Sequence, residues 1–341
     1  VTRLTRSPEL SGEVRRVQDG FVIFTEPVAT DETREWLIGN ERDEWRSVSI
    51  PLSPNFSYEL MPTPIAVGTA AEPRAIRITI GAGYVGFANH FFSQVLDESG
   101  ELLGEPTAVL EIFDRISSTN VSAGSLDGER AAVGNAHSGE WDPRIVLLDR
   151  DGKPVSDEIH LLETGDRPLY RCFALTGTAH GVVATIIDGD TGELRLLELD
   201  AEGQVVQEAT LEGIDDILCP RVSVDPSGIF VSSGLDVPSF SRGSARDVYR
   251  VSGGALDLVA TLPEPPEGVS YGWALGGDVP LVSAQSQTGL RFAERRGTEL
   301  LPLEGDFTGR LIPSADGRLF VANVSPEDSV IVEVSCAPSA P

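Results

Sequence analysis

Residues 193–213 read ELRLLELDAEGQVVQEATLEG. Leu194, Leu196, Leu197 and Leu199 form an apolar run that stops at Asp200-Ala201-Glu202-Gly203, and a second run, 205–211, follows it. Apolar and β-branched runs bounded by an Asp/Gly cluster predict two strands joined by a tight turn, a β-hairpin. The turn signature recurs at a nearly fixed interval. Asp97-Glu98-Ser99-Gly100 lies 52 residues before Asp149-Arg150-Asp151-Gly152, which lies 51 before Asp200; Val251-Ser252-Gly253-Gly254 follows 51 residues later as a weaker relative. Each turn is preceded by a strand pattern (SQVL, RIVLL, LRLLEL, DVYRV) and followed by another (ELLGEPTAVL, KPVSDEIHLL, QVVQEATL, ALDLVATL).

A second series of turns precedes the first: Leu126-Asp127-Gly128, Ala179-His180-Gly181, Pro226-Ser227-Gly228 and Ala315-Asp316-Gly317. Runs such as VVATII, IFVSS and RLFVAN follow these glycines and are strand-like in composition. Each period therefore holds four strands, a to d, with a–b and c–d turns at one end and b–c turns and d–a links at the other. Four strands in about 40–50 residues make the blade of a β-propeller.

The expected fold is all-β: a single domain, 1–341, forming a seven-bladed β-propeller of four-stranded antiparallel blades. The blades fall near 11–52, 74–110, 118–162, 168–211, 217–262, 268–303 and 309–335, with a Pro-rich link over 53–73. The last supplies only three strands, and residues 1–8 supply its fourth, so that the N-terminal strand closes the ring and removes an exposed edge. Six blades are the alternative, because 268–303 is short and 11–52 has no clear Asp-x-x-Gly turn. EIFDRIS, 111–117, reads as at most one helical turn. The Ser314-Ala315-Asp316-Gly317-Arg318-Leu319 turn resembles the S-P-D-G repeats of TolB-like and WD40-like propellers, with Ala315 in place of the usual proline. This resemblance implies the architecture. It implies no one activity, since propellers host binding, scaffolding and catalysis alike.

Acidic residues number 53 against 26 basic, a net charge of −27, which repels phosphate backbones and anionic membrane surfaces and argues against nucleic acid as a partner. Lys153 is the only lysine, an arginine bias that fits a GC-rich bacterial genome or a salt-adapted surface. No run of about 18 apolar residues exists to span a bilayer. Met61 is the only methionine, so a preceding segment is expected to have been removed. If it was a secretion signal, the protein is secreted, periplasmic or part of the cell envelope. A monomer is expected, and no cofactor motif is found.

Three cysteines leave at least one thiol unpaired within the chain. Cys172 and Cys219 each stand nine residues ahead of an a–b turn glycine, so they occupy equivalent innermost positions as two buried small residues or as a disulfide. Gly268-Val269-Ser270-Tyr271-Gly272 matches G-x-S-x-G but lacks the following helix that a nucleophile elbow requires. Asp188-Gly189-Asp190-Thr191-Gly192-Glu193 is either a hairpin turn with solvated acids or an incomplete calcium loop. The four histidines have no zinc-like spacing.

Topology supplies the candidate site. On the face shared by d–a links and b–c turns the reading places Arg74, Arg115, Arg171 and Arg221 near starts of inner strands. From the b–c side it adds His90, His137, Trp141 and Asp188. Arginines grouped near a channel can hold an anionic group through bidentate donors, or can pair with acids as structural glue. The long 235–246 stretch, LDVPSFSRGSAR, is a candidate contact loop. The expected function is a non-catalytic binding or protein-interaction module that takes a protein or small-molecule ligand on that face. The alternative is a propeller hydrolase or lyase acting on carbohydrate or a small anionic substrate, with Asp188, Asp190 and the channel arginines active.

Overall fold

The computed structural model describes residues 2–6, 13–24, 33–42, 44–51, 58–59, 64–81, 88–113, 119–126, 128–137, 141–161, 170–178, 180–188, 191–212, 221–225, 228–232, 246–262, 270–275, 281–286, 289–296, 299–302, 310–312, 318–324 and 329–334. Every regular element among them is a β-strand. After β1 (Thr2–Arg6), the chain forms an antiparallel sheet from β2 (Glu13–Val17), β3 (Gly20–Phe24), β4 (Thr33–Asn40) and β5 (Trp45–Pro51), paired in sequence order. The same meander recurs in β11 (Thr119–Leu126), β12 (Arg130–His137), β13 (Trp141–Leu148) and β14 (Ile159–His160). It is repeated by β15 (Tyr170–Gly177), β16 (Gly181–Asp188), β17 (Leu194–Asp200) and β18 (Val205–Leu211). The next runs through β19 (Arg221–Asp225), β20 (Gly228–Ser232), β21 (Arg246–Ser252) and β22 (Ala255–Leu262), and a single parallel bridge, Thr210 to Ala255, joins its last strand to β18 so that these two meanders form one eight-stranded sheet. A further one is built from β23 (Ser270–Leu275), β24 (Leu281–Ser286), β25 (Gly289–Arg296) and β26 (Glu299–Pro302).

Two sheets depart from this plan. The stretch 53–73, expected as a link, contains β6 (Tyr58–Glu59) and β7 (Ile65–Gly68), both paired with β8 (Pro73–Gly81), which continues into β9 (Ala88–Leu96) and β10 (Thr107–Phe113). Its prolines bracket the buried Ile65-Ala66-Val67-Gly68 run without interrupting it, and Pro73 opens β8, a position where a missing N–H is tolerated. Glu111, Ile112 and Phe113, read as the start of a helical turn, instead extend β10. The chain's last strands, β27 (Arg310–Ile312), β28 (Leu319–Val324) and β29 (Ser329–Val334), take β1 as a fourth, paired antiparallel on β29 with Thr2 opposite Glu333.

The core lies between sheets, in layers. Val67, Ile76, Ile78 and Phe91 meet Val133, Val146 and Leu148 of the following sheet; Leu126, Ile145 and Leu147 meet Phe173, Val182 and Leu197 of the next. The second strand β16 is buried from Gly181 to Ile187, and its sequence, GVVATIID, is accordingly apolar but for Thr185 until the closing aspartate. One layer joins the two ends of the chain: Phe21, Ile23 and Leu37 pack with Ile312, Phe320, Ala322 and Ile331.

The recurring turns share one geometry. In each of the turns at Asp97, Asp149 and Asp200, the aspartate N–H donates to the carbonyl four residues on at 2.9 Å, and the glycine N–H returns to the aspartate carbonyl at 2.9–3.0 Å. The carboxylate Oδ1 accepts the N–H groups two and four residues ahead, at 2.8–3.0 Å. The glycines sit at φ of 80°, 71° and 82°, where a side chain is strained. The β4–β5 connection carries the same turn with asparagine in the leading place: Asn40 N–H donates to Glu44 O, and Asn40 Oδ1 accepts from Arg42 and Glu44. A blade that lacks the motif in letters keeps it in hydrogen bonds.

Candidate functional site

At the end carrying the a–b and c–d turns, an arginine at the start of a blade's second strand reaches the c–d turn of the following blade. Arg74, second residue of β8, pairs with Asp151. Arg130, first residue of β12, donates to the Ala201 carbonyl at 2.7 Å. Arg318, just ahead of β28, donates to Glu41 at 3.2 Å, so the last blade is tied to the first by the same device. Arg150 adds contacts to Glu72 and Glu129 at 3.6 and 4.0 Å. The a–b turns also join directly: Gln18 N–H donates to Gly68 O at 3.0 Å, Gly68 N–H to Gly128 O, and Ala70 N–H to Asp19 Oδ1 at 2.6 Å. Gln18 Nε2 reaches Glu129 at 2.9 Å. The inner turns of three consecutive blades thus converge. Lys153 stands exposed on the β13–β14 turn at this end.

This corrects the placement of Arg74. It was expected on the ligand face because β7 went unrecognised and β8 was taken for an inner strand. Arg74 lies instead at the turn end, in a structural ion pair. His90 lies at the expected end, but on the third strand of its blade, between Gly81 and Glu111; it is half-buried, with its ring 6.1 Å from Phe92.

The other candidates that the structure describes are gathered at the opposite end. His137 closes β12 and Trp141 opens β13, directly paired across the strands. Arg171 is the second residue of β15, Arg221 opens β19, and Asp188 closes β16 opposite Tyr170. Asp188 holds its own turn: Oδ1 accepts Thr191 N–H at 2.9 Å, and the backbone exchanges hydrogen bonds with Gly192 and Glu193. That is the hairpin reading of its acidic cluster, and Asp190 lies outside the described residues. So do Arg115, Cys219 and all of the 235–246 loop but Arg246, which opens β21. Among the described residues no three His, Cys, Asp or Glu side chains come together to hold a metal ion, and no helix is long and apolar enough to cross a membrane. Ser270 opens β23, which runs into strand β24, so its G-x-S-x-G has no strand-to-helix elbow.

One feature of this end was invisible in the sequence. The pairing of β15 with β16 shifts between Tyr170 and Cys172, leaving Arg171 as an inserted residue, and β23 shifts in the same way between Tyr271 and Trp273. A third shift falls between Asn135 and His137. Such bulges bend a strand and re-aim a side chain, and they concentrate at rims and beside sites. Tyr170-Arg171-Cys172 and Tyr271-Gly272-Trp273 occupy equivalent places in their blades, so spacing would have aligned them, but only the pairing reveals the bulge.

No family model matches the chain, and no curated protein matches it. Solved structures do. It is similar to puromycin hydrolase at 13% identity and a TM-score of 0.54, over 98% of this chain and 55% of that one. It is also similar to the dihydro-heme d1 dehydrogenase NirN at 16% and 0.48, over 93% and 61%. Similarity to the β-propeller domain of the trilobed protease from Pyrococcus furiosus is 10% and 0.49, over 94% and 92%. The chain spans less than two thirds of the first two proteins, and at these identities the likeness is one of fold. With its recurring four-stranded antiparallel meanders, this is an all-β chain of β-propeller fold.

Proposed function

We propose that the chain forms a seven-bladed ring closed by β1. We further propose that it acts as a non-catalytic binding or protein-interaction module of the cell envelope or exterior, taking an anionic group of a protein or small molecule at the end that carries Arg171. Arg115, Arg221, His90, His137, Trp141 and Asp188 complete the binding surface. Closure is supported by the arginine tie from Arg318 to Glu41, which repeats between the last and first blades what Arg74 and Arg130 do between neighbours.

The observation that carries the binding reading is the placement of two arginines at inner-strand starts of one end. The a–b end spends its charges and turn backbones on inter-blade ties. The other end carries two arginines at or near inner-strand starts, one of them on a bulge. In so acidic a protein, a guanidinium near a channel attracts what the rest of the surface repels.

The test is calorimetric titration with citrate, an oligogalacturonate and an Asp/Glu-rich peptide. Binding of at least one, weakened tenfold or more by Arg171→Gln with Arg221→Gln and unchanged by Lys153→Gln at the other end, is expected. No binding by any of the three, or equal loss in Lys153→Gln, overturns the reading.

A further inference from the structure

We propose that Arg16, Glu41, Arg318 and Glu333 form an ionic latch across the joint between the first and last blades, so that the hold of the N-terminal strand responds to ionic strength. A single carboxylate oxygen, Glu41 Oε1, takes both Arg16 at 2.7 Å and Arg318 at 3.2 Å. Arg318 also grips Glu333 in a fork, Nε to Oε1 at 3.0 Å and Nη2 to Oε2 at 2.9 Å. Glu333 lies on β29 opposite Thr2 of β1, so the network ends on the strand that holds the N-terminal strap.

Beneath the charges, Phe21 of the first blade and Phe320 of the last meet edge-to-face, ring centroids 5.3 Å apart. The Arg16 guanidinium lies 4.9 and 4.7 Å from the two rings, and Arg318 lies 4.7 Å from Phe320. Arg16 is nearly enclosed, its side chain 7% exposed, whereas Glu41 and Glu333 are about a third open to solvent. The Arg16 guanidinium also donates to the Gly20 and Gln18 carbonyls at 3.0 and 3.1 Å; Glu41 adds an opposing charge to this buried cation over aromatic faces, and removing that charge is costly. The exposed carboxylates make the attraction screenable by salt. The strap itself is slight: β1 pairs with β29 at four positions, interrupted by a shift between Arg3 and Thr5. The latch therefore sets the ease with which the strap opens.

The inference rests on the ring closure proposed above, and the experiment separates the two. Amide hydrogen exchange is followed over residues 2–6 and 329–334, with 194–211 as reference, in the parent, Glu41→Gln and Arg318→Lys, at low and high salt. Exchange at 2–6 and 329–334 is expected to rise about tenfold in either variant and, for the parent, in high salt, with 194–211 unchanged and salt adding little in Glu41→Gln. Residues 2–6 exchanging at the free-chain rate in the parent would overturn closure and the latch with it. Protection in the parent that neither variant nor salt reduces, or a rise shared equally by 194–211, would overturn the latch alone.

Discussion

Asp97 shows how one carboxylate can be fixed by a turn. Burial works against its charge, but the Ser99 hydroxyl at 2.6 Å, the N–H groups of Glu101 and Ser99 and the nearby Arg74 guanidinium outweigh it, holding the carboxyl below its ordinary value of 3.8. A depressed carboxylate contributes stability that is complete above the ordinary value and is lost as pH falls through the lowered one. Melting temperature followed against pH should therefore drop on the acid side of about pH 4. Asp97→Asn should flatten that drop while costing about 1 kcal/mol at neutral pH. An acid limb as steep as the parent's would exclude this role. Asn40 explains why one blade looked incomplete in the sequence. Its side-chain oxygen accepts the same backbone donors as the aspartates, but a search for Asp-x-x-Gly passes over it. The chemistry was conserved between blades where the letters were not.

The hairpin of β17 and β18 was legible as an element because its constraints are local: a strand period, a turn aspartate and a glycine. The structure adds a non-local constraint. A Cβ on Gly203 would lie 2.3 Å from Ile159 Cδ1 of the preceding blade, so the turn is also a packing surface. Val206, by contrast, is left out of the ladder where the pairing shifts between Glu198 and Leu199, and stands 58% exposed. Urea midpoints should separate these roles. Asp200→Ala and Gly203→Ala should each cost about 1–2 kcal/mol, while Val206→Thr should stay within about 0.5 kcal/mol. A large loss at Val206 would mean that the bulge is not a free edge. β7 was missed for the opposite reason. Four residues between prolines carry too short a pattern to stand out, and only pairing with β8 defines them as a strand. That omission also misplaced Arg74.

At the scale of the whole molecule, the architecture was readable from repetition, but the ties between blades were not. Arg74 and Asp151 are 77 residues apart, Arg130 and Ala201 71, Arg318 and Glu41 277. Loop lengths blur any period in such pairs, and the last joins elements from opposite halves of the sequence. The strand order was enough to place His137, Trp141, Arg171, Asp188 and Arg221 at one end of the blades, whereas the bulge at Arg171 depends on register and was not legible. If β1 completes the last sheet, removing residues 1–6 exposes the edge of β29, and an uncovered edge strand invites pairing with other chains. The truncated protein should melt earlier and scatter light as it associates; a truncated chain that stays monomeric with the parent's melting temperature would exclude closure by β1. Lys153, exposed on the β13–β14 turn of the tied end, has a practical consequence. As the chain's only lysine, it gives amine-directed coupling a single side-chain target. Molecules held through that side chain would present the Arg171 end away from the surface.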